Sequence, residues 1–160
     1  MSSEGKQRLY EAVLERVRHL IEGETDLIAV MATVACELHH AFDAFDWTGF
    51  YRVVEPGLLK IGPYQGTHGC LTIPFARGVC GAAARLRRTQ VVPDVREFPG
   101  YIACSSSCRS EIVVPVITVG GRLLGVLDID SDRLAAFDEI DRIGLEKVCS
   151  MVAGIHREIE

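Results

Sequence analysis

The sequence predicts an α+β fold in which helices cover one face of an antiparallel sheet. Both ends of the chain repeat apolar residues at intervals of three and four, which is typical of amphipathic helices. The middle of the chain holds two pairs of aromatic and β-branched segments, each joined by a glycine-containing turn, which predicts two β-hairpins. This order of helices, strands and a closing helix favours helices packed on a sheet face.

Two helices are predicted to open the chain. The first runs from Lys6 to Glu22 and ends near Gly23, because its apolar residues form a single stripe up to that glycine. The second begins at a cap formed by Thr25 or Asp26 and runs to about His40.

Two hairpins are predicted to form the sheet. The first consists of Trp47–Val54, the turn Glu55-Pro56-Gly57, and Leu58–Tyr64. The second consists of Glu111–Val119, a two-residue turn at Gly120-Gly121, and Arg122–Asp130.

The segment between the hairpins is predicted to cross over the sheet. Leu71–Pro74 and Gln90–Val92 are short extended pieces, and Gly78–Arg87 is a short helix that packs closely through its small residues. The run from Pro93 to Ser110 is long for a connection, and its length favours a functional loop.

A helix capped by Asp138 is predicted to close the chain. Its apolar stripe consists of Ile140, Ile143, Val148, Met151, Val152, Ile155 and Ile159. Because the chain has no linker, repeat or low-complexity segment, we expect residues 1–160 to form a single domain.

Composition restricts the partners and the compartment. The net charge of -5 and the pI near 5.5 argue against nucleic acid and anionic membranes as partners, since both attract clustered positive charge. No signal-peptide pattern and no membrane-spanning apolar run are present, so we expect a cytoplasmic protein. The chain has six cysteines, and a reducing compartment does not favour structural disulfides. We therefore expect some of these cysteines to be catalytic, redox-active or metal ligands.

Three carboxyls are expected to meet in an apolar setting. Asp128 and Asp130 are two residues apart, so a strand directs both side chains to one face and Ile129 to the other. The hairpin should bring Glu111 beside them. Because like charges among apolar neighbours repel and are poorly solvated, such a cluster requires a cationic partner.

The residues alone leave several assignments open. Cys36 and Cys149 lie on or near helix stripes and are interpreted as small buried hydrophobic residues. Composition does not decide whether Cys70, Cys80 and Cys104 are core residues or functional thiols. A zinc site could be drawn from Cys104, Cys108, His68 and Cys70, but this spacing is a loose signal and no metal site is predicted. Trp47 and Tyr51 share a strand face, which also fits plain core packing.

A series of short motifs follows in a fixed order between about Asp46 and Gly144. They are Trp47-Thr-Gly-Phe-Tyr51, Gly62-Pro-Tyr-Gln-Gly66, Gly69-Cys70, Ile73-Pro74, Arg77-Gly-Val-Cys-Gly81, Asp94-Val95, Ile102-Ala-Cys104, Ser110-Glu-Ile-Val-Val-Pro115 and Gly125-Val-Leu-Asp-Ile-Asp-Ser131. Together they resemble the free methionine-(R)-sulfoxide reductases, a catalytic branch of the GAF domain fold. The specific part of the resemblance is three cysteines together with the Glu and Asp-Ile-Asp set.

The resemblance implies a GAF-like sheet with a pocket between one sheet face and the crossover loops. It implies that Cys104 attacks the sulfoxide sulfur, that Cys70 resolves the sulfenic acid as a disulfide, and that Cys80 is a further resolving or relay thiol. Cys108 lies outside the family's cysteine set and leaves open whether the disulfide is Cys70 to Cys104 or involves Cys108.

The resemblance also assigns the remaining parts of the reaction. Glu111, Asp128 and Asp130 would bind the substrate, and Trp47 and Tyr51 would contact its methyl group. No bound cofactor is implied; an external dithiol reductant of the thioredoxin type would recycle the disulfide. The resemblance is also compatible with a homodimer, for which the first and last helices have broad apolar stripes.

The chemistry of the residues agrees with this assignment. A sulfoxide becomes electrophilic when its oxygen gains a proton, and clustered carboxyls have at least one raised pKa that keeps a proton near neutral pH. The same carboxylates should raise the pKa of Cys104, so its thiol is expected to be poorly activated before the substrate ammonium arrives.

The alternative is a GAF module that senses a cyclic nucleotide or another small molecule without catalysis. Such a module would need an output domain, and none is present in 160 residues. Three carboxylates would also repel an anionic nucleotide.

Overall fold

The computed structural model describes residues 1–155, and the predicted elements are all present in this range. They are α1 (Ser3–Leu20), α2 (Leu27–Ala41), β1 (Trp47–Glu55), β2 (Leu58–Gln65), β3 (Thr72–Pro74), α3 (Gly78–Leu86), β4 (Gln90–Val92), β5 (Ser110–Ile117), β6 (Leu123–Ser131) and α4 (Glu139–Gly154). A single 3-10 turn, Val95–Glu97, interrupts the loop between β4 and β5. Ile159, predicted on the last helix, lies outside the described residues. Within residues 1–155 no helix has both the length and the apolar character needed to cross a bilayer.

The six strands form one sheet in the order β3-β2-β1-β6-β5-β4, and every neighbouring pair is antiparallel. The central strand β6 places Asp130 between Trp47 of β1 and Glu111 of β5, and it places Asp128 opposite Gly49. This register therefore brings parts of both predicted hairpins together at one end of the sheet.

One face of the sheet is covered by α1, α2 and α4. Phe50, Leu127 and Ile129 point from the strands into this core and are fully buried. Asp26 caps α2 by accepting hydrogen bonds from the backbone N–H groups of Ile28 and Ala29. The prediction of an α+β fold with the terminal helices on one face is confirmed.

The opposite face is covered by α3 and the crossover loops. Ala83 and Val79 pack here against Val113 and Val126 of the sheet. A Cβ on Gly81 would lie 2.7 Å from the carbonyl oxygen of Pro74, so glycine is needed where α3 approaches the backbone. The close packing predicted for this helix is therefore present.

The turn of the second hairpin differs from the prediction. The strands end at Ile117 and resume at Leu123, and the N–H of Gly121 donates to the carbonyl of Thr118 across 2.9 Å. A two-residue turn at Gly120-Gly121 would favour positive φ at both glycines, but only Gly121 has one, at 87°. The predicted two-residue turn is therefore wrong.

The two cysteines assigned to the helical core differ in burial. Cys149 on α4 is buried and its thiol contacts the carbonyl of Val114 at 3.9 Å. Cys36 on α2 is only half-buried, with its sulfur 3.7 Å from Nδ1 of His40. It lies at the edge of the helical layer, because the buried stripe of α2 passes through its neighbours Val34, Ala35 and Leu38.

Candidate active site

A pocket opens between the sheet face of β1, β5 and β6 and the crossover segments. Its lining contains seven of the eight residues singled out from the sequence: Trp47, Tyr51, Cys80, Cys104, Glu111, Asp128 and Asp130. The eighth, Cys70, is joined to Cys104 by a disulfide. The structure thus brings the whole predicted set to one place.

The disulfide links the two loops that border the pocket. Cys70 follows β2 and Cys104 precedes β5, so the residues are 34 positions apart, yet their Cα atoms are 5.2 Å apart. Both cysteines are partly exposed. Cys108 is a free thiol, and in this structure the bridge left open by the sequence joins Cys70 and Cys104.

The carboxyls of Glu111 and Asp128 are buried beneath the pocket, and the partly exposed Asp130 lies beside them. Antiparallel pairing of β5 and β6 places them on the same sheet face, and Glu111 and Asp128 expose only 6% and 5% of their surface. None of the three takes part in the ion pairs found within residues 1–155. One oxygen of Asp128, Oδ1, is buried without a hydrogen-bond partner.

Burial raises the pKa of all three carboxyls. The pKa values of Glu111 and Asp130 lie well above their usual range, first because of desolvation and then because of the negative charge of Asp128. Burial raises the pKa of Asp128 to about 6, and its hydrogen bonds with Glu111 and Cys80 oppose a larger rise. The cluster therefore favours the protonated form of its carboxyls more than exposed carboxyls do, and the three groups titrate as a coupled set.

Cys80 sits against this cluster at the start of α3. Its sulfur lies 4.0 Å from Oε1 of Glu111, and the side chain is buried. Burial raises its pKa well above the usual value, and the nearby charges of Asp128 and Glu111 add to the effect. Cys80 is therefore a protonated thiol in this state of the protein.

Cys108 occupies a similar environment on the other side of Glu111. It is buried, and its thiol donates to the carbonyl of Ser110 across 3.5 Å. Burial is the largest cause that raises the pKa of the Cys108 thiol, and the negative charges of Asp130 and Glu111 raise it further. The sequence did not indicate this proximity, because Cys108 precedes β5 in a segment without periodicity.

An aromatic wall borders the carboxyl cluster. The ring of Trp47 stacks on Tyr51 and on Tyr64, with centroid separations of 5.9 and 5.3 Å, and its Nε1 donates to the carbonyl of Thr67 across 2.7 Å. Tyr64 was missed as a support for Trp47. The signal was available in part, since Tyr64 pairs with Gly49 in the predicted first hairpin.

The loops add further lining residues. They are His68, Gly69, Tyr101, Ile102 and Ser105, of which Tyr101 and Ser105 were not named individually from the sequence. Tyr101, Ile102 and Ser105 belong to the long segment from Pro93 to Ser110, which was predicted to be functional as a whole. Its individual contacts could not be predicted because irregular segments have no repeating pattern of directions.

Two groups of side chains in this pocket have the donor atoms and spacing to hold a metal ion. Cys80, Glu111 and Asp128 form one group, and Cys108, Glu111 and Asp130 form the other. Within each group the donor atoms all lie within 4.8 Å of one another. The two groups share Glu111, so this carboxyl cannot serve both fully.

Comparison with known proteins gives consistent matches along the chain. The sequence pattern of the GAF domain matches residues 7–155. "GAF domain-containing protein A" of Dictyostelium discoideum is 43% identical over 152 residues, which cover 95% of each chain. "Free methionine-R-sulfoxide reductase" of Saccharomyces cerevisiae is 37% identical over 157 residues, covering 94% of this chain and 87% of the yeast protein.

A solved structure is similar in both sequence and shape. The free methionine-R-sulfoxide reductase of Neisseria meningitidis, determined in complex with its substrate, is 43% identical with a TM-score of 0.89. The match covers 97% of this chain and 92% of that one. Because both the GAF pattern and a named reductase extend over nearly the whole chain, this protein belongs to the free methionine-R-sulfoxide reductase family of GAF domains.

Proposed function

We propose that the protein reduces free methionine (R)-sulfoxide to methionine, using electrons from an external thiol reductant. The observation that carries this proposal is the Cys70–Cys104 disulfide at the border of a pocket lined by three clustered carboxyls. A thiol pair that can cycle between reduced and oxidised forms lies beside groups that can supply a proton and bind a cation. The names of the yeast and Neisseria relatives support the substrate and the epimer.

Cys104 is the nucleophile of the first step. Its sulfur attacks the sulfoxide sulfur and the sulfur–oxygen bond of the substrate breaks. The oxygen ends on Cys104 as a sulfenic acid, and methionine leaves as the thioether. The substrate sulfur is thereby reduced by two electrons, and Cys104 is oxidised by two.

Glu111 is the acid for this step. Its raised pKa keeps a proton on a group that borders the pocket with Cys104, and that proton activates the sulfoxide oxygen. The ionised Asp128 pairs with the substrate ammonium, with Asp130 beside it. Trp47 and Tyr51 provide the apolar wall for the methyl group.

Cys70 resolves the sulfenic acid. Its thiolate attacks the sulfur of Cys104, water leaves, and the disulfide forms. A thioredoxin-like dithiol then reduces the disulfide and becomes oxidised in turn. Since such reductants are kept reduced in the cytoplasm, we place the reaction there.

Cys80 has a different role in this scheme. A buried, protonated thiol is a poor first nucleophile, so we assign Cys80 as a relay thiol that acts only after the pocket rearranges.

We also propose that the protein forms a homodimer through α1 and α4, where Ile143 is 43% exposed. Light scattering of the purified chain tests the dimer.

The decisive test is a single-turnover assay with free methionine sulfoxide. Cys104→Ser should form no methionine, whereas Cys70→Ser should release about one methionine per chain before it stalls, because attack and resolution use different thiols. Stalled Cys70→Ser should carry a dimedone-reactive sulfenic acid on Cys104. Normal turnover by Cys104→Ser would contradict the proposal.

Matched thiol variants control for general effects of removing a cysteine. Cys149→Ser changes a buried thiol on the opposite sheet face, and Cys108→Ser changes one beside the pocket that forms no disulfide here. Both should keep multiple turnover with dithiothreitol. No methionine from the unaltered protein would instead favour the sensing module, which binds small molecules without converting them.

A further inference from the structure

The group formed by Cys80, Glu111 and Asp128 has the composition of a metal site. All three side chains are buried, and their sulfur and oxygen donor atoms lie within 4.8 Å of one another. If both carboxyls were ionised, their like charges would repel at this distance, and none of the ion pairs within residues 1–155 reaches the group. The cluster therefore favours a cation.

A second observation points to a ligand here. Oδ1 of Asp128 is buried and has no hydrogen-bond partner, although buried polar atoms are nearly always paired. Asp128 is only 5% exposed and lines the pocket. An unpaired carboxylate oxygen at this depth is a ready ligand atom.

The donor set selects the kind of cation. Thiolate sulfur is a soft ligand that favours zinc, whereas magnesium and calcium take oxygen ligands in larger numbers. One sulfur and two carboxylates, with a water in the fourth position, satisfy the four-coordinate preference of zinc.

We propose that the protein binds one zinc-class divalent cation at Cys80, Glu111 and Asp128, and that this cation excludes the substrate. Exclusion rests on the proposed function, because the metal would use the same carboxylates that pair with the substrate ammonium. Binding itself does not depend on that function. The thiol proton of Cys80 is released to solvent on binding, together with any proton held by Glu111.

The structure distinguishes this set from the other thiols of the pocket. Cys70 and Cys104 are joined to each other, so neither can supply a thiolate while the disulfide is intact. Cys108 belongs to the second group, but its thiol already donates to the carbonyl of Ser110. The disulfide form of the protein should therefore bind zinc, with Cys80 as its sulfur ligand.

The test is a competition titration of Zn²⁺ against a chromophoric chelator, with the full chain in its disulfide form. One zinc per chain is expected. Cys80→Ser and Asp128→Asn should each weaken affinity by about 100-fold or more, since even outer groups of metal sites typically contribute 10- to 100-fold. Binding of Co²⁺ should give a thiolate-to-cobalt charge-transfer band that Cys80→Ser abolishes.

Three comparisons decide the outcome. The Cys70→Ser/Cys104→Ser double variant and Cys149→Ser should retain the affinity of the unaltered chain. Circular dichroism confirms that each variant is folded before its titration is interpreted. Zinc binding that survives in both Cys80→Ser and Asp128→Asn, or that is lost in the double variant, would overturn the assignment.

A separate measurement tests exclusion. Free methionine, the product, should weaken the apparent zinc affinity in proportion to its concentration. Competition that is absent while Cys80-dependent zinc binding persists would overturn exclusion alone. Failure of methionine sulfoxide reduction with zinc binding intact would overturn the proposed function and leave the metal site standing.

Discussion

Asp128 differs from the two carboxyls beside it, because one of its oxygens is buried without a hydrogen-bond partner. In the proposed reaction the ammonium group of free methionine sulfoxide would pair with this oxygen, and a methionine sulfoxide within a peptide has no such group. We therefore expect Asp128, whose free oxygen would gain a partner only with substrate bound, to recognise the free amine.

The first prediction compares free methionine sulfoxide with its N-acetyl form. Leaving the buried Asp128 without a cation should cost about 3 to 5 kcal/mol, equivalent to about a 100- to 1000-fold or larger loss in kcat/KM. Asp128→Asn should lower activity on the free compound and weaken this discrimination, whereas the exposed Asp132→Asn should change neither. Equal kcat/KM values for the two compounds with the unaltered protein would show that the amine is not read.

At the level of single residues, the sequence predicted the sheet face to which each side chain of the site points. Alternation along a strand places Asp128 and Asp130 on one face with Trp47 and Tyr51, and it sends Ile129 to the other. The pairing of Cys70 with Cys104 was available only by resemblance, because a contact between two irregular loops has no pattern in the sequence.

At the scale of elements, the second hairpin shows how a correct register can follow from a wrong turn. A two-residue turn at Gly120-Gly121 would pair Glu111 with Asp130, as is observed. The actual turn is one residue longer, and a register shift between Val116 and Ile117 restores the same pairing beyond it. The two differences cancel, so the carboxyls meet where they were expected.

The strand β1 carries the aromatic wall, and its glycine makes the wall possible. A Cβ on Gly49 would lie 2.4 Å from Cβ of Tyr64 and 2.5 Å from the ring of Trp47. Because Cβ of Tyr64 is attached directly to the backbone, it cannot rotate away, and the ring of Trp47 would have to move.

The second prediction concerns Gly49→Ala. Overpacking should lower the free energy of unfolding by about 1 to 3 kcal/mol, and displacement of Trp47 should raise KM for free methionine sulfoxide. Gly154→Ala is the matched control, since a Cβ there meets nothing within 4 Å. Urea unfolding and steady-state kinetics measure the two effects. An unchanged KM together with lowered stability would show that Trp47 does not contact the substrate.

In the molecule as a whole, one face of the sheet holds the main apolar core and the other face holds the candidate active site. The helical face holds the larger apolar core, and the opposite face holds the buried carboxyls and thiols. Buried ionisable groups oppose folding, so the stability of the domain depends on the helical face. This division follows from the predicted alternation, whereas the shape of the pocket depends on loop conformations that the sequence pattern does not specify.

The third prediction is a pH dependence of stability. Burial raises the pKa of Asp128 from 3.8 to about 6, so the folded state binds more protons than the unfolded state between these values. The free energy of unfolding contributed by this group should therefore fall as pH rises through that window, by about 3 kcal/mol for about two units. Unfolding of the unaltered protein and Asp128→Asn at several pH values measures it. A constant difference between them would contradict the raised pKa.

The last prediction concerns the oxidation state of the whole chain. The Cys70–Cys104 disulfide closes a loop with a sequence separation of 34, and it therefore constrains the unfolded chain. Loop closure of this length corresponds to about 4 kcal/mol, so oxidation should raise Tm by about 8 to 15 °C. Thermal unfolding with and without dithiothreitol measures this shift, and the Cys70→Ser/Cys104→Ser double variant should show none. Equal Tm values for the oxidised and reduced protein would contradict this prediction, because the constraint on the unfolded chain would then have to be offset by an equal cost of the bridge in the folded protein.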